Sequence, residues 1–338
     1  MLSFVKEIIN MKKLNVALAI LVTAVMAGNA QTTVTSSIVG YESKNLPANS
    51  YTSVGINLLN PDVLVSSVSG ATSQALNVVG SSNVGALITS PTEPYYVEVK
   101  SGTLEGCRLD VDVAATVAAA NGSIVINGAS LNNTDPYASI YSSLVGANLV
   151  LRKHVTLSDV ATQITNLSFG SSGTGDEILM LNSSGGFDSY LRRTSSQWRN
   201  SGGQNANSTP IPPGVGFIIK KAAVAGSIAT VGSVRDNNFS LNVNSGYQIV
   251  TLGYPLDRSP ADLGANVASS AWTYGTSGDS FLLLNASGGF DTYLYRTGTL
   301  WRNSAGTTVT STKFLTSGDG YVLYRNAAQN FDFVKPSL

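Results

Sequence analysis

Two stretches of the chain carry the same order of apolar and polar positions. In the first, Gly175-Asp176 precedes a short apolar run at 178–181, the turn-forming string Asn182-Ser183-Ser184-Gly185-Gly186, an alternating stretch from Phe187 to Arg192, and Gln197-Trp198-Arg199. The second repeats this with Gly278-Asp279, the run 281–284, Asn285-Ala286-Ser287-Gly288-Gly289, an alternating stretch from Phe290 to Tyr295, and Leu300-Trp301-Arg302. Residues 175–200 and 278–303 align without a gap and share 17 of 26 positions. An apolar run of four is too short for a helix and reads as a buried strand closed by a turn. Period-two alternation then predicts a strand with Phe187, Ser189 and Leu191 on the core face and Asp188, Tyr190 and Arg192 on a wetter one. With the Trp-bearing run added, each copy is an antiparallel three-strand meander. The string Pro210-Ile211-Pro212-Pro213-Gly214-Val215-Gly216 leads into a fourth strand at 217–220; the second copy keeps Gly318 and Gly320 but not the prolines, which predicts a looser connection there. A short helical turn is expected before each meander, around 158–161 and 259–263, with Ser158 and Ser259 as N-caps.

The N-terminal part has a different pattern. Five strand-like runs at 63–65, 75–79, 95–99, 107–111 and 123–126 are separated by Gly, Asn, Ser and Pro, a spacing that suits a small β-barrel or sandwich. The segment 114–120 is open between helix and loop. Residues 48–59 weakly resemble 243–256, which suggests an N-terminal barrel inserted into a third, eroded copy. The predicted fold is therefore mainly β: a small N-terminal β-barrel or sandwich at 31–148, then two related β-meander modules at 149–239 and 240–338.

The first thirty residues are expected to be a signal peptide. Met11-Lys12-Lys13 supplies a basic start, 14–26 is almost wholly apolar, and Gly28-Asn29-Ala30 offers small residues for cleavage after Ala30. Met11 is an alternative start. The apolar run is shorter than the roughly 20 residues that span a bilayer. This predicts an extracellular, periplasmic or cell-surface chain, with no membrane insertion of the mature part.

Further along, three sets of residues form a wider pattern: Val39-Gly40-Tyr41 with Leu46-Pro47-Ala48, then 96–102 with Leu104-Glu105-Gly106, then 175–179 with Trp198-Arg199 and 212–217. On these motifs the chain resembles an uncharacterised family of secreted β-rich repeat proteins common in verrucomicrobial bacteria. The resemblance covers nearly all of the mature chain and implies export and a β-rich fold, with no catalytic residue, cofactor or substrate to carry over.

Composition narrows the chemistry. Only 12% of residues are charged, against about a quarter in an average soluble protein. Without residues 1–30 the formal net charge is −2. With no basic run longer than two residues, a nucleic-acid partner, which needs a dense cationic patch, is not expected. The single Cys107 cannot form an internal disulfide and reads as a buried thiol. His154 is the only histidine. A two-His metal site is therefore excluded, and its neighbours Arg152 and Lys153 suggest a surface position. No Gly-x-Ser-x-Gly elbow is present. Asp176 and Asp279 stand after Gly at strand starts, where Asp closes turns with backbone amides; Glu177 becomes Ser280 in the second copy, so no acid pair for glycoside hydrolysis is repeated. Gly214-Val215-Gly216 leads into a strand and lacks the helix end that a phosphate loop requires. No metal or cofactor is expected.

The candidate ligand-binding residues are aromatic and basic: Tyr190, Trp198 and Arg199 in the first copy, Tyr293, Trp301 and Arg302 in the second. Exposed, they would stack on sugar rings and bond hydroxyls; buried, the tryptophans would be core plugs. The leading expectation is an exported, non-catalytic structural or cell-surface protein that associates with itself or with the cell envelope. A glycan-binding or adhesive module is the alternative, and a polysaccharide-active enzyme the remote one.

Overall fold

The computed structural model describes residues 38–72, 74–127, 138–265, 272–327, 329–333 and 335–336. The expected signal peptide lies outside the described residues. Among the described residues strand far outweighs helix, 43% against 8%, so the fold is mainly β, as the patterning predicts.

The chain opens with β1 (Val39–Leu46) and β2 (Tyr51–Val54), continues through β3 (Asp62–Ala71), β4 (Ala75–Val78), β5 (Tyr95–Val99) and β6 (Arg108–Asp110), and after helix α1 (Val113–Ala119) adds β7 (Ser123–Val125) and β8 (Asn148–Lys153). Then come β9 (Val155–Thr156), α2 (Leu157–Gln163), β10 (Glu177–Leu181), β11 (Phe187–Thr194), β12 (Gln197–Arg199), β13 (Pro210–Ile211), β14 (Phe217–Lys220) and β15 (Gly226–Ser233). The last part holds β16 (Phe239–Val243), β17 (Gly246–Val250), β18 (Ser280–Leu284), β19 (Phe290–Thr297), β20 (Leu300–Asn303), β21 (Tyr321–Arg325) and β22 (Gln329–Phe333).

Two five-stranded antiparallel sheets correspond strand for strand. One has the order β12-β11-β10-β14-β2 and the other β20-β19-β18-β21-β17. Each is accompanied by a two-stranded ribbon, β1 with β15 and β16 with β22. The edge strand β2 comes from the segment that sequence patterning places in the N-terminal domain, yet it pairs with β14 from Phe217↔Val54 to Lys220↔Tyr51. The first module is thus split in sequence: the barrel-like part is inserted into it between β2 and β9, not into a third copy, and it extends past the expected boundary at 148 to include β8. The weak likeness of 48–59 to 243–256 reflects the matched positions of β2 and β17.

The insert is one sheet of order β6-β5-β8-β3-β4-β7. It curls until its edges meet at Val111 and Ile126, where Asp112 N–H donates to Val125 O (2.9 Å) and Asn127 N–H to Asp110 O (2.7 Å). Alternation assigns its faces. Tyr95, Val97, Val99, Leu109, Leu149 and Leu151 fill the insert's own core together with Cys107, while Tyr96, Glu98, Asp110, Arg152 and His154 are buried outside that apolar cluster.

Local chemistry explains the elements. Asn182 Oδ1 accepts from Ser184 N, Ser184 Oγ and Gly186 N, and Asn285 Oδ1 does the same with Ser287 and Gly289. Gly185 and Gly288 take φ of +81° and +82°, where a side chain would be strained. Helix α2 starts one residue pair earlier than its expected cap: Thr156 and Asp159 form a reciprocal capping box. Ser259 and Asp262 make the same exchange in the second module, around a turn rather than a helix. The segment open between helix and loop is helical, capped by Asp112 Oδ1 accepting from Ala115 N (2.9 Å).

The two five-stranded sheets stack face to face. Leu179, Leu181 and Ile218 of the first meet Ile249, Leu282, Leu284 and Val322 of the second in one cluster. The backbone contacts across this seam are reciprocal. Gly55 N–H donates to Gly318 O and Thr251 N–H to Gly214 O, each at 2.9 Å. In each pair the donor follows the module's edge strand by one residue, and the acceptor is the left-handed glycine before its fourth meander strand.

Candidate functional site

The six residues singled out by sequence do not form a site. Trp198 and Trp301 are both 0% exposed and sit at the centre of their modules' cores, which corrects the reading of them as stacking platforms. Arg199 and Arg302 alternate with them along the strand and are exposed. Tyr190 and Tyr293 are half-buried and pack against the same cores, and burial pushes both phenols up from their ordinary pKa. The face assignment of β11 is inverted relative to the expectation. Phe187 and Phe290 are 45% and 42% exposed, whereas Arg192 and Tyr295 are buried. The cross-strand partners give the reason: Tyr190 is opposite Ile178, inside the module core, while Phe187 is opposite Leu181, at the fringe of the seam.

Where the two copies differ, the replacement conserves the role. Arg192 lies with its guanidinium 5.3 Å from the Trp198 ring and donates to Ser195 O. Tyr295 stacks on Trp301 at 5.2 Å and donates from its hydroxyl to Gly298 O at 2.6 Å. One is a cation over an indole and the other an aromatic stack. Both cover the indole and bond the same turn.

Asp176 and Asp279 are fully buried. Asp176 meets Lys221 Nζ at 2.6 Å and accepts from Ser168 N and Ala222 N; Asp279 meets Arg325 Nε at 3.2 Å and accepts from Thr273 N and Asn326 N. Each carboxylate ties the start of its module's first meander strand to the end of the fourth.

A second polar cluster lies between the insert and the module body. His154 is 0% exposed rather than on the surface; its Nε2 is 3.0 Å from Asp110 Oδ1, and Tyr96 packs on its ring at 4.6 Å. Burial depresses its pKa against the opposing pull of Asp110. Asp110 also meets Arg108, which donates to Pro213 O, and Glu98 bridges Arg152 and Arg235. Nothing in the local sequence marks His154 as buried, because its partners come from a strand more than forty residues earlier. Among the described residues no group of three or more His, Cys, Asp and Glu is placed to hold a metal ion.

An open cavity of about 240 Å³ lies at one end of the seam. Lys44 on β1 and Asp319 before β21 form an ion pair there, 275 residues apart in sequence. Tyr51, 46% exposed, Pro47, Leu284 and Asn285 also line it. Burial pushes the Lys44 ammonium down to about 8. Sequence reasoning missed this site because its walls come from three separate parts of the chain.

Comparison with protein-family models, with curated proteins and with solved structures finds no match to this chain.

Proposed function

We propose that this is an exported, non-catalytic structural or cell-surface protein that acts as a rigid two-module body and associates with other copies of itself or with the cell envelope. The observation that carries this reading is where the repeated side chains go. Asp176 and Asp279, Trp198 and Trp301, and Asn182 and Asn285 are all engaged inside their own modules. These six shared residues serve the fold. The basic-then-apolar pattern of 11–30 and the resemblance to secreted repeat proteins support export.

The ribbon of β1 and β15 supports association. Val39, Tyr41 and Val231 are exposed on it, with Tyr41 opposite Val231 across the strands. Exposed apolar side chains on a two-stranded ribbon present both a surface and a strand edge for pairing. Sedimentation velocity over a wide concentration range, with Tyr41→Lys and Val231→Lys as partners, tests this. Concentration-dependent assembly that the Lys variants abolish is expected. A chain that stays monomeric throughout and washes off cells would overturn it.

A further inference from the structure

We propose that the seam cavity beside Lys44 and Asp319 is a binding site for one ring of a neutral sugar. This goes beyond the association reading and does not depend on it. A cavity of about 240 Å³ is smaller than the roughly 300–1,000 Å³ pockets that enclose drug-sized ligands, which limits the occupant to a single ring with the rest of any chain outside. The lining has the composition that sugar rings require. Tyr51 offers a half-exposed aromatic ring, whose face suits the C–H side of a pyranose. Asp319 and Lys44 stand together at the same wall, and a carboxylate and an ammonium have several acceptor and donor sites each. Hydroxyl groups, which both donate and accept, match that pair. A free anion does not, because Asp319 already neutralises Lys44; an apolar ligand would leave the pair desolvated without new partners.

The two modules differ at this point. The position matching Asp319 in the first module is Val215, and the tyrosine matching Tyr51 is Tyr247, which packs at a tilt against Tyr324 with ring centroids 4.8 Å apart. The corresponding neighbour of Tyr51 is Lys220, 5.9 Å from its ring centroid. The reciprocal seam therefore carries one such site, and one ring per chain is expected. Burial pushes the Lys44 ammonium down to about 8 while its partner Asp319 favours the charged form, so binding should weaken at alkaline pH as that proton is lost, a response that a purely apolar contact would lack.

The test is an NMR titration of the full chain with methyl glycosides of glucose, galactose, mannose and N-acetylglucosamine, and with inorganic phosphate as a separate arm. Saturable binding of at least one glycoside at one site per chain is expected. Tyr51→Ala should weaken it about tenfold, the scale of one aromatic contact, and Asp319→Asn should weaken it as well. Tyr247→Ala should leave it unchanged. Tyr51 is half-exposed, so its variant tests the site even if Asp319→Asn disturbs the seam; thermal unfolding checks both. Binding of none of the glycosides, binding of phosphate alone, or glycoside binding unchanged in folded Tyr51→Ala would each overturn the proposal.

Discussion

Gly216 and Gly320 stand back to back across the seam: a Cβ on Gly216 would lie 3.0 Å from Gly320 Cα and 2.7 Å from Ile249 Cγ2. A Cβ on Gly320 would lie 2.8 Å from Val54 O and 2.9 Å from Ser53 Oγ, the hydroxyl that donates to Gly320 O. Both glycines precede the fourth strand of their meander. Close approach of two backbones, rather than a left-handed turn, is what requires glycine here.

Gly216→Ala and Gly320→Ala should therefore each destabilise the protein by about 1–3 kcal/mol through overpacking. Because both act on one contact, the double variant should lose less than the sum. Urea unfolding of the three variants measures this. Two independent, additive losses would mean that the sheets do not meet at these residues.

The indoles differ in one bond. Trp301 Nε1 donates to Ala265 O at 2.7 Å, while Trp198 Nε1 has no partner among the described residues. Trp301→Phe should cost about 1 kcal/mol more than Trp198→Phe, the net worth of one hydrogen bond. Either Trp→Ala change should cost about 3–5 kcal/mol. Equal losses for the two Phe variants, compared by chemical denaturation, would contradict this.

The matched ion pairs give a third expectation. Lys221→Met leaves the Asp176 carboxylate buried without its cation, as Arg325→Met does for Asp279. Each should cost about 3–5 kcal/mol, the usual penalty for an unpaired buried charge. Adding Asp176→Asn to Lys221→Met should recover part of the loss, since it removes the buried charge; only part, because Ser168 N and Ala222 N donate to different carboxylate oxygens and Asn keeps an acceptor for just one of them. A double variant less stable than Lys221→Met would contradict this.

His154 predicts a pH dependence. Its pKa is depressed below the ordinary 6.5 by burial, with Arg108 acting the same way and Asp110 opposing. Below pH 6.5 the unfolded chain takes up a proton that the folded one does not, so stability falls on acidification. Denaturation midpoints between about pH 7.5 and 5.5 should decline less in His154→Gln than in the parent. A parallel decline would show that His154 does not carry the effect.

What was legible in the sequence follows the range of the interactions. The turns at Asn182 and Asn285 bond within five residues, and the strands on either side of them appear where patterning predicts. Five strands of the insert are legible as runs between turn residues, whereas β8, which pairs with both β3 and β5, was not predicted. The cap of α2 is displaced from Ser158 to Thr156 because Asp159 answers the residue three before it. The face of β11 was not legible, since alternation identifies two faces without saying which meets a core and which the seam. Nor were β1 and β2, whose partners β15 and β14 lie beyond the whole insert. The cavity at Lys44 and Asp319 depends entirely on such distant pairings.

Amide hydrogen exchange at Gly55 and Thr251 tests most directly the claim that two matched modules are joined through one reciprocal seam. Their N–H groups donate across it to Gly318 O and Gly214 O, so both should be protected to the same degree, close to the amides of β10 and β18, and both should lose protection together in Gly216→Ala. Exchange of Gly55 and Thr251 at the rate of open loops, while β10 and β18 stay protected, would mean that the sheets fold without meeting and would contradict the account.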